Sequence, residues 1–522
     1  MSSAAAGSAG AAAAPAGRIG HVGFITVCVM LATIMQALDT TIANVALPHM
    51  QGSLSATQDQ ISWVLTSYIV AAAIMTPPTG VLAAKFGRKR LFMWAVSGFT
   101  VASMLCGIAT SLEEMVVFRL LQGVFGAALV PLSQSVLLDT YPREKHGQAM
   151  ALWGVGVMVG PILGPTLGGY LTEIYNWRWV FYINLPFGIL ALLGIMAFLP
   201  ETERDHKRRF DIFGFAMLSI AIGALQMMLD RGELLDWFGS TEIIIETVVA
   251  GTCFALFLVQ TFTHEHPFLE PAIFHDRNLS IGLVIIFMVG VILLATMALL
   301  PPYLQNLMDY PVITTGFILA PRGVGTMIAM MVVGRLINKF DQRALIAFGL
   351  ALAAYSLWQM AGFTPDVSQY TLIESGVIQG LGLGFIFVPL STITFSTLAP
   401  RYRTEAAGLF SLMRNVGSSI GISVVIAMLS RNTQIVHSEI AEQVTPYGMM
   451  MQSPWLPSFW SPATQTGIAA LNSEVTRQAS AIAYVDDFLL MMWVTLLAAP
   501  LLLLLRKPRR ATGEIPAAAI PD

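Results

Sequence analysis

The sequence predicts an all-α polytopic membrane protein with fourteen membrane-spanning helices and both termini on the cytoplasmic side. Of its 522 residues, 55% are hydrophobic and only 11% are charged. The mean hydropathy is +0.69, and a soluble domain would carry roughly twice this density of charge. Apolar runs of about 20 residues, long enough to cross a hydrocarbon core of ~30 Å, recur along the whole chain.

The fourteen spans follow from these apolar runs. An even number of spans puts both termini on one side of the membrane. Most of the 28 Lys and Arg residues fall in alternate connections, beginning with Lys85 to Arg90, so the positive-inside rule places both termini in the cytoplasm. We place the spans at 22–46, 61–84, 90–110, 113–138, 148–172, 178–199, 211–230, 242–263, 279–307, 314–337, 343–362, 370–398, 404–430 and 485–505.

A weak internal repeat relates the first six spans to the last six. GVLAAKFGRKR from Gly80 recurs as GRLINKFDQR from Gly334, and QGVFGAALVPLS from Gln122 recurs as QGLGLGFIFVPLS from Gln379. Repeats of this kind are typical of transporters. We therefore predict a disordered tail at 1–19, an N-terminal six-helix bundle at 20–200, an inserted two-helix hairpin with linkers at 201–277, a C-terminal six-helix bundle at 278–505 with a periplasmic loop at 431–484, and a cytoplasmic tail at 506–522.

Six segments carry a resemblance to a known family. They are LDTTIANVALP in span 1, GVLAAKFGRKRLF after span 2, RLLQGVFGAAL in span 4, GVGVMVGPILGPTLGGYL in span 5, WRWVFYINLPFG and LDRGELLDWFGS. From residue 20 to 505 the chain resembles the major facilitator superfamily, and within it the 14-span drug:proton antiporter branch of the EmrB/QacA type. The resemblance implies the major facilitator fold and a proton-coupled efflux permease that exports lipophilic drugs or toxic amphiphiles by alternating access.

Asp39 is the main candidate for proton coupling because a carboxylate in an apolar span costs roughly 2.5–3.5 kcal/mol or more. Span 1 reaches its outer end near Pro48, nine residues after Asp39, and span 4 runs inward from about Ser111, eight residues before Arg119. At 1.5 Å per residue, both side chains lie on the order of 12 Å below the outer surface. We predict an ion pair that protonation of Asp39 would break. The alternative is a static ion pair that only orients the two helices.

Five further polar residues within spans are candidates for a substrate cavity. Gln122 lies one helical turn from Arg119, so it is expected to extend the polar network. Arg322 follows a proline in span 10 and either lines the cavity or reaches toward the interface. The complete set is Gln36, Gln122, Arg322, Arg414 and Asn415.

The resemblance also assigns a gating role to two groups of residues. One group surrounds the loop after span 2, where we expect Arg88 to pair with Asp139. This loop has Ala84 where the family motif usually has an acidic residue. Topology marking and tight helix packing are the alternatives to gating. The gating candidates are Gly80, Arg88 and Asp139 in the first group, and Gly160, Pro161, Gly164 and Pro165 of span 5 in the second.

Other functions are disfavoured by what the sequence lacks. It has no H-E-x-x-H, G-x-S-x-G or P-loop pattern and no His/Cys cluster at metal-ligand spacing. We therefore expect no enzyme activity, metal, cofactor or nucleic acid, and we disfavour a passive channel. The alternative on the same fold is an exporter of an endogenous metabolite such as a fatty acid or siderophore. The resemblance further implies a bacterial inner membrane, an EmrA-like periplasmic adaptor and a TolC-like outer-membrane channel.

Overall fold

A bent helix pair completes the predicted set of fourteen spans. The computed structural model describes residues 22–202, 204, 210–444, 460 and 464–506, so the predicted tails at 1–19 and from 507 onward lie outside the described residues. In the described part, thirteen helices are long and apolar enough to cross a membrane. Trp63–Met75 and Thr79–Phe86 meet at 58° and together form one further span. The predicted all-α fold with fourteen spans is confirmed.

The first six spans form one half of the molecule. Gly87 has φ of 88°, a left-handed conformation that glycine adopts without strain, and it turns the chain sharply between the second and third spans. Ser111 begins the fourth span by accepting a hydrogen bond from the Glu114 amide at 3.2 Å. The spans are Val22–Ser53 (α1), Trp63–Met75 with Thr79–Phe86 (α2), Arg88–Ile108 (α3), Leu112–Thr140 (α4), His146–Ile174 (α5) and Trp179–Phe198 (α6).

Two helices follow, Ile212–Arg231 (α7) and Thr241–Thr263 (α8). Asp211 caps α7 by accepting the Gly214 amide at 2.8 Å. Only 11% of the apolar window of α8 is buried inside the protein, so most of this helix faces lipid. In contrast, α7 packs against both α2 and a helix of the second half. The hairpin therefore joins the two halves along one side through α7.

The last six spans form the second half. Asp276 and Ser368 cap two of these helices by accepting the amides of Leu279 and Thr371. The first and fifth helices of this half pack along each other, as do the second and fourth. The helices are Arg277–Pro302 (α9), Val312–Leu336 (α10), Gln342–Met360 (α11), Gln369–Ser396 (α12), Arg403–Gln443 (α13) and Gln465–Ala498 (α14).

The described helices extend beyond the predicted spans into the predicted loop at 431–484. Helix α13 continues to Gln443 and α14 already begins at Gln465. The two extensions contact each other, because a ring nitrogen of His437 lies 3.0 Å from the Asn472 side-chain oxygen. Residues 445–459 and 461–463 lie outside the described part. Hydropathy marks where a helix leaves the lipid, whereas its backbone hydrogen bonds continue into water.

The two halves pack together through α5 and α10. Gly154 lies against Met330, and the ring of Trp153 stacks on Phe387 of α12 with 5.7 Å between centroids. The indole nitrogen of Trp153 donates to Ser133 of α4 at 2.8 Å. These contacts belong to the cytoplasmic half of the helices, so they help to close the molecule on that side.

Candidate functional site

Asp39 lies at the centre of a buried polar network between α1, α4 and α6. Its side chain has 0% exposure. One carboxylate oxygen accepts a hydrogen bond from Arg119 Nη1 at 2.8 Å. The other accepts from the amide nitrogens of Gln122 and Asn184, also at 2.8 Å each. The predicted contact between Asp39 and Arg119 is therefore present, with two neutral amides beside it.

The charge of Arg119 is surrounded by acceptors and aromatic rings. Its Nη1 also donates to the Gln122 side-chain oxygen at 2.8 Å, and its Nε donates to the Val64 carbonyl at 3.3 Å. The guanidinium carbon lies 5.1 Å from the ring centroids of both Tyr68 and Phe181, within cation–π range. A single hydrogen bond joins Arg119 to Asp39, rather than the bidentate geometry that such pairs can adopt.

Asn184 is a member of the network that the sequence analysis missed. Its side-chain nitrogen also donates to the Ser103 hydroxyl at 2.9 Å, and Ser103 in turn donates to the Phe181 carbonyl at 2.9 Å. Asn184 is an amide within an otherwise apolar run, INLPFG. The reasoning that selected Asp39, a polar group retained inside an apolar span, would have selected it too.

Asp39 and Arg119 depend on each other for charge balance. In the described part of the chain, Asp39 is the only carboxylate that pairs with Arg119. Leaving one member of a buried ion pair without its partner costs about 3–5 kcal/mol. The ion pair therefore couples the position of α4 to that of α1.

Two of the predicted cavity residues adjoin this network. Gln122 belongs to it, and Gln36 donates to the Tyr68 hydroxyl at 3.2 Å, on the ring that faces Arg119. The side chain of Gln36 is half-buried. Gln36 is therefore partly accessible and joined to Arg119 through the ring of Tyr68.

The other cavity candidates lie in the second half, and no described hydrogen bond joins them to Asp39. Arg322 of α10 is 7% exposed and donates to the Leu293 carbonyl of α9 at 3.2 Å. Arg414 and Asn415 of α13 are half-buried. Within the part that the structure describes, neither Arg322 nor Arg414 forms an ion pair with a carboxylate. They are two cationic groups at membrane depth that lack an acidic partner there.

Asp139 connects the two halves at their cytoplasmic ends. It pairs with Arg88 at the start of α3, as the sequence predicts. It also accepts a hydrogen bond at 2.6 Å from Arg403, at the start of α13 in the second half. Nearby, the Ser135 and Thr404 hydroxyls lie 3.1 Å apart across the same boundary. Arg403 is not among the candidates named from the sequence.

Gly80 permits close approach of the halves at the same place. A Cβ added to Gly80 would lie 2.7 Å from the Cα of Glu405 and 3.0 Å from its backbone nitrogen. Contacts this close to backbone atoms cannot be relieved by a side-chain rotation. The packing of α2 against α13 at this point therefore depends on glycine. The cytoplasmic ends of the two halves are thus in contact at Gly80, Asp139 and Arg403.

Asp139→Asn is expected to loosen this closure because the amide cannot balance two guanidinium charges. The change is measured by thiol labelling of a single cysteine, Ser135→Cys, in a protein whose three native cysteines have been replaced. Ser135 is buried at the boundary between the halves. The thiol should be protected in the parent and labelled from the cytoplasmic side when Asp139→Asn is added. The matched control is Glu201→Gln, which removes an exposed partner of Arg204 and should leave the thiol protected. Equal protection in all three proteins would contradict the assignment.

Gly160 and Gly164 of span 5 pack within the first half, against α1. A Cβ added to Gly160 would overlap the Ala37 carbonyl, and one added to Gly164 would overlap the Thr41 hydroxyl. Thr41 also donates to the Gly160 carbonyl at 2.9 Å. Pro161 and Pro165 belong to the same stretch of α5. Gly160 and Gly164 contact the segment of α1 that carries Asp39, while other residues of α5 contact the second half.

Gly160→Ala is expected to lower both thermal stability and transport, because the new methyl group meets the backbone of α1 two residues before Asp39. Overpacking of this kind typically costs about 1–3 kcal/mol. Gly169→Ala is the matched control, since nothing lies within 4 Å of a Cβ at Gly169 on the same helix. Thermal unfolding of the purified variants measures the difference. Equal stability of the two variants would refute the close packing of α5 on α1.

Comparison with known proteins agrees with this architecture. Residues 29–422 match the family model described as Major Facilitator Superfamily. The chain is 39% identical over 430 residues to the multidrug export protein EmrB of Escherichia coli (strain K12), covering 82% of this chain and 84% of EmrB. It is 36% identical over 497 residues to the fatty acid resistance protein FarB of Neisseria gonorrhoeae, covering 94% and 97% of the two chains.

A solved structure supports the fold alone. The human organic anion transporter MFSD10 (TETRAN) superposes with a TM-score of 0.57 at 15% identity, covering 91% of this chain and 99% of MFSD10. The spanning helices and the extended family match together make this a multi-pass membrane protein of a transporter class. The chain belongs to the major facilitator superfamily.

Proposed function

We propose that the chain is a proton-coupled secondary efflux transporter that exports lipophilic drugs or toxic amphiphiles by alternating access. The observation that carries the proposal is the buried contact between Asp39 and Arg119. A carboxylate retained at membrane depth is a functional candidate by default because its burial is costly. The identity of 39% to a protein named for multidrug export supports the direction and the class of substrate.

In this proposal, proton and substrate compete through the state of Arg119. Protonation of Asp39 frees the guanidinium, and α4 then shifts relative to α1. The shift reaches the cytoplasmic end of α4, where Asp139 contacts Arg88 and Arg403. In this proposal, proton binding acts on α4 through Arg119 in its outer half, and closure acts on it through Asp139 at its cytoplasmic end. Gly160 and Gly164 keep α1 fixed against α5 while α4 moves.

Transport by purified protein in sealed vesicles tests the function. An imposed pH gradient should drive uphill accumulation of a lipophilic fluorescent drug, and an uncoupler that collapses the gradient should abolish it. Empty vesicles control for passive partition of the drug. Accumulation that persists unchanged with the uncoupler would exclude proton coupling, and mere equilibration of the drug would indicate a passive channel.

We also propose a location and partners. The protein would reside in a bacterial inner membrane and act as the permease of a tripartite pump, with a periplasmic adaptor and an outer-membrane channel. The outward extensions of α13 and α14, which contact each other at His437 and Asn472, offer the adaptor a helical surface. Co-purification from native membranes tests the assembly.

The proposed domain boundaries are those predicted from the sequence, at residues 200, 277 and 505.

A second candidate is export of an endogenous anionic metabolite, such as a fatty acid or a carboxylate siderophore. The observation that favours it is the absence of a carboxylate partner for Arg322 and Arg414 in the described part of the chain. A substrate carboxylate would supply that partner. The relative named for fatty acid resistance, FarB, is 36% identical to this chain over nearly its full length.

Arg414→Gln separates these two candidates. If the substrate is anionic, the variant should lose export of a fatty acid about tenfold or more, because a charge-assisted hydrogen bond contributes roughly 1.5–3 kcal/mol. Export of a neutral drug should change little. Arg414→Lys keeps the charge and should retain part of the fatty-acid export. Equal loss of both substrates in both variants would argue for a structural role of Arg414.

A further inference from the structure

A second buried carboxyl group, Asp487 of α14, has no part in the network around Asp39. Its side chain is 0% exposed. Neither carboxyl oxygen has a hydrogen-bond partner among the residues that the structure describes. Tyr484 and Met491, one helical turn to either side on the same face of α14, are buried with it in an apolar and aromatic cluster. Asp487 is therefore a fully enclosed carboxyl group among apolar side chains.

Aromatic rings shape this cluster. The ring of Tyr303, at the outer end of α9, lies 5.3 Å from that of Tyr484 and 6.5 Å from that of Phe488. Phe363 packs on Phe488 with 6.2 Å between centroids. The Tyr303 hydroxyl donates to the Thr364 carbonyl at 3.0 Å and forms no described hydrogen bond with Asp487.

No ion pair joins a cation to Asp487 among the described residues. Helices α9 and α11 each contain one Lys, Arg, Asp or Glu, and these residues, Arg277 and Arg343, lie at the opposite, cytoplasmic ends. On α13, Arg403 pairs with Asp139 at the cytoplasmic end. The half-buried Arg414 lies 17 residues, or about 25 Å of helix, inward of Arg431, which is exposed. On α14 itself, Arg477 is paired with Glu474 at 2.7 Å. The remaining titratable neighbours are tyrosines and a second acid, Asp486, which faces Asn432.

The surroundings of Asp487 differ from those of Asp39. The oxygens of Asp39 accept three hydrogen bonds, one of them from a guanidinium. An ionised Asp487 would have neither a donor nor a counter-charge, and burial of such a charge is far costlier than burial of a neutral carboxylic acid. The neighbouring negative charge of Asp486 acts in the same direction. Asp487 is therefore expected to be neutral.

Asp487 also lies on the outward side of the apolar part of α14. The charged residues of α14 all fall between Glu474 and Asp487, and the next charged residue along the chain is Arg506. Coming from outside, Asp487 is thus the last charged residue before the apolar stretch. The adjacent Asp486 is half-buried and accepts a hydrogen bond from Asn432 of α13 at 3.3 Å. Asp486 provides an accessible carboxylate next to the enclosed one, on the outward side.

We propose that Asp487 is a second proton-binding site, which holds a proton in this cytoplasm-closed conformation and exchanges it with the outer solution during the transport cycle. The first part of the proposal depends only on the burial and surroundings of Asp487. The second part, exchange during transport, rests on the proposed proton-coupled function. Two measurements address the two parts separately.

Infrared spectroscopy of the purified protein in lipid tests the bound proton without any transport. At neutral pH, the wild type should show the carbonyl stretch of a protonated carboxyl group, and Asp487→Asn should lose it. Asp486→Asn, the matched control one residue away, should retain it. Asp487→Leu provides a second variant, which should fold because the native carboxyl makes no hydrogen bond. The proposal would be overturned if Asp487→Asn lost the band of an ionised carboxylate instead, or if its spectrum were the same as that of the wild type.

The ratio of protons to substrate in vesicles tests the exchange. Asp487→Asn should export drug while moving fewer protons per drug molecule than the wild type, whereas Asp486→Asn should keep the wild-type ratio. An unchanged ratio in Asp487→Asn would overturn the exchange. Failure of the wild type to export any drug would refute the proposed function instead, and the infrared result would still stand on its own.

Discussion

Asp39→Asn is expected to abolish proton-driven export while the protein still folds and inserts. The amide cannot bind a proton at neutral pH, so the site is fixed in its neutral form. The protein should still fold because the proposed cycle itself neutralises Asp39, although leaving the buried Arg119 without its partner should lower the stability by about 3–5 kcal/mol. The change in initial export rate, measured in vesicles with an imposed pH gradient, should be at least a hundredfold, since no other described carboxylate contacts Arg119.

Glu113→Gln is the matched control for this variant. Glu113 is an exposed acid near the outer end of α4, the helix that carries Arg119. Its neutralisation should leave export unchanged. Expression level and the elution profile in detergent verify that both variants are folded. Wild-type export by a well-folded Asp39→Asn protein would remove Asp39 from the coupling mechanism.

Arg119→Gln is expected to lose export and stability together. It leaves Asp39 buried without a counter-charge, and truncating one member of a buried ion pair costs about 3–5 kcal/mol. The double variant Asp39→Asn/Arg119→Gln removes both charges, so it should recover most of the lost stability but no export. Thermal unfolding and vesicle transport of the single and double variants measure the two effects separately.

Arg231→Gln is the control for loss of an arginine from a less buried pair. Arg231 contacts Glu242, and both side chains are partly exposed at 25% and 45%. Pairs of this kind contribute roughly 0–1 kcal/mol, so the unfolding temperature should change little. If Arg119→Gln were as stable as Arg231→Gln, the buried pair would not have the energetic role assigned to it.

The depth of the Asp39 pair could be predicted from sequence because helix rise is constant. Counting residues from the ends of spans 1 and 4 places Asp39 and Arg119 at one level without knowledge of the packing. Rotation of a helix about its own axis is not determined by such a count. The participation of Asn184 depends on that rotation, and so does the direction in which Gly160 faces. Both became evident only from the packed helices.

Contacts between the halves were less predictable for a different reason. Asp139 and Arg88 lie at the cytoplasmic ends of two consecutive spans, so their pairing could be expected from the predicted topology. Arg403 lies 264 residues away from Asp139, in the other half of the molecule. Its contact depends on how the two halves pack together. The residue count along single spans does not determine that packing.

The ends of α13 and α14 show the limit of hydropathy as a guide to helix length. The predicted spans end at 430 and begin at 485, whereas the helices end at Gln443 and begin at Gln465. Polar residues leave the hydrocarbon but stay helical, supported by contacts such as that of Asn432 with Asp486. Asp487 lies close to residue 485, where the predicted span begins, and its side chain is buried inside the protein.

Release of protons on substrate binding is the most direct test of the central claim, which is that Asp39 exchanges a proton against substrate. Purified protein in weakly buffered detergent solution is mixed with drug, and a pH indicator follows the solution. The wild type should release protons on binding, whereas Asp39→Asn should bind the drug and release none. Proton release by Asp39→Asn equal to that of the wild type would contradict the account.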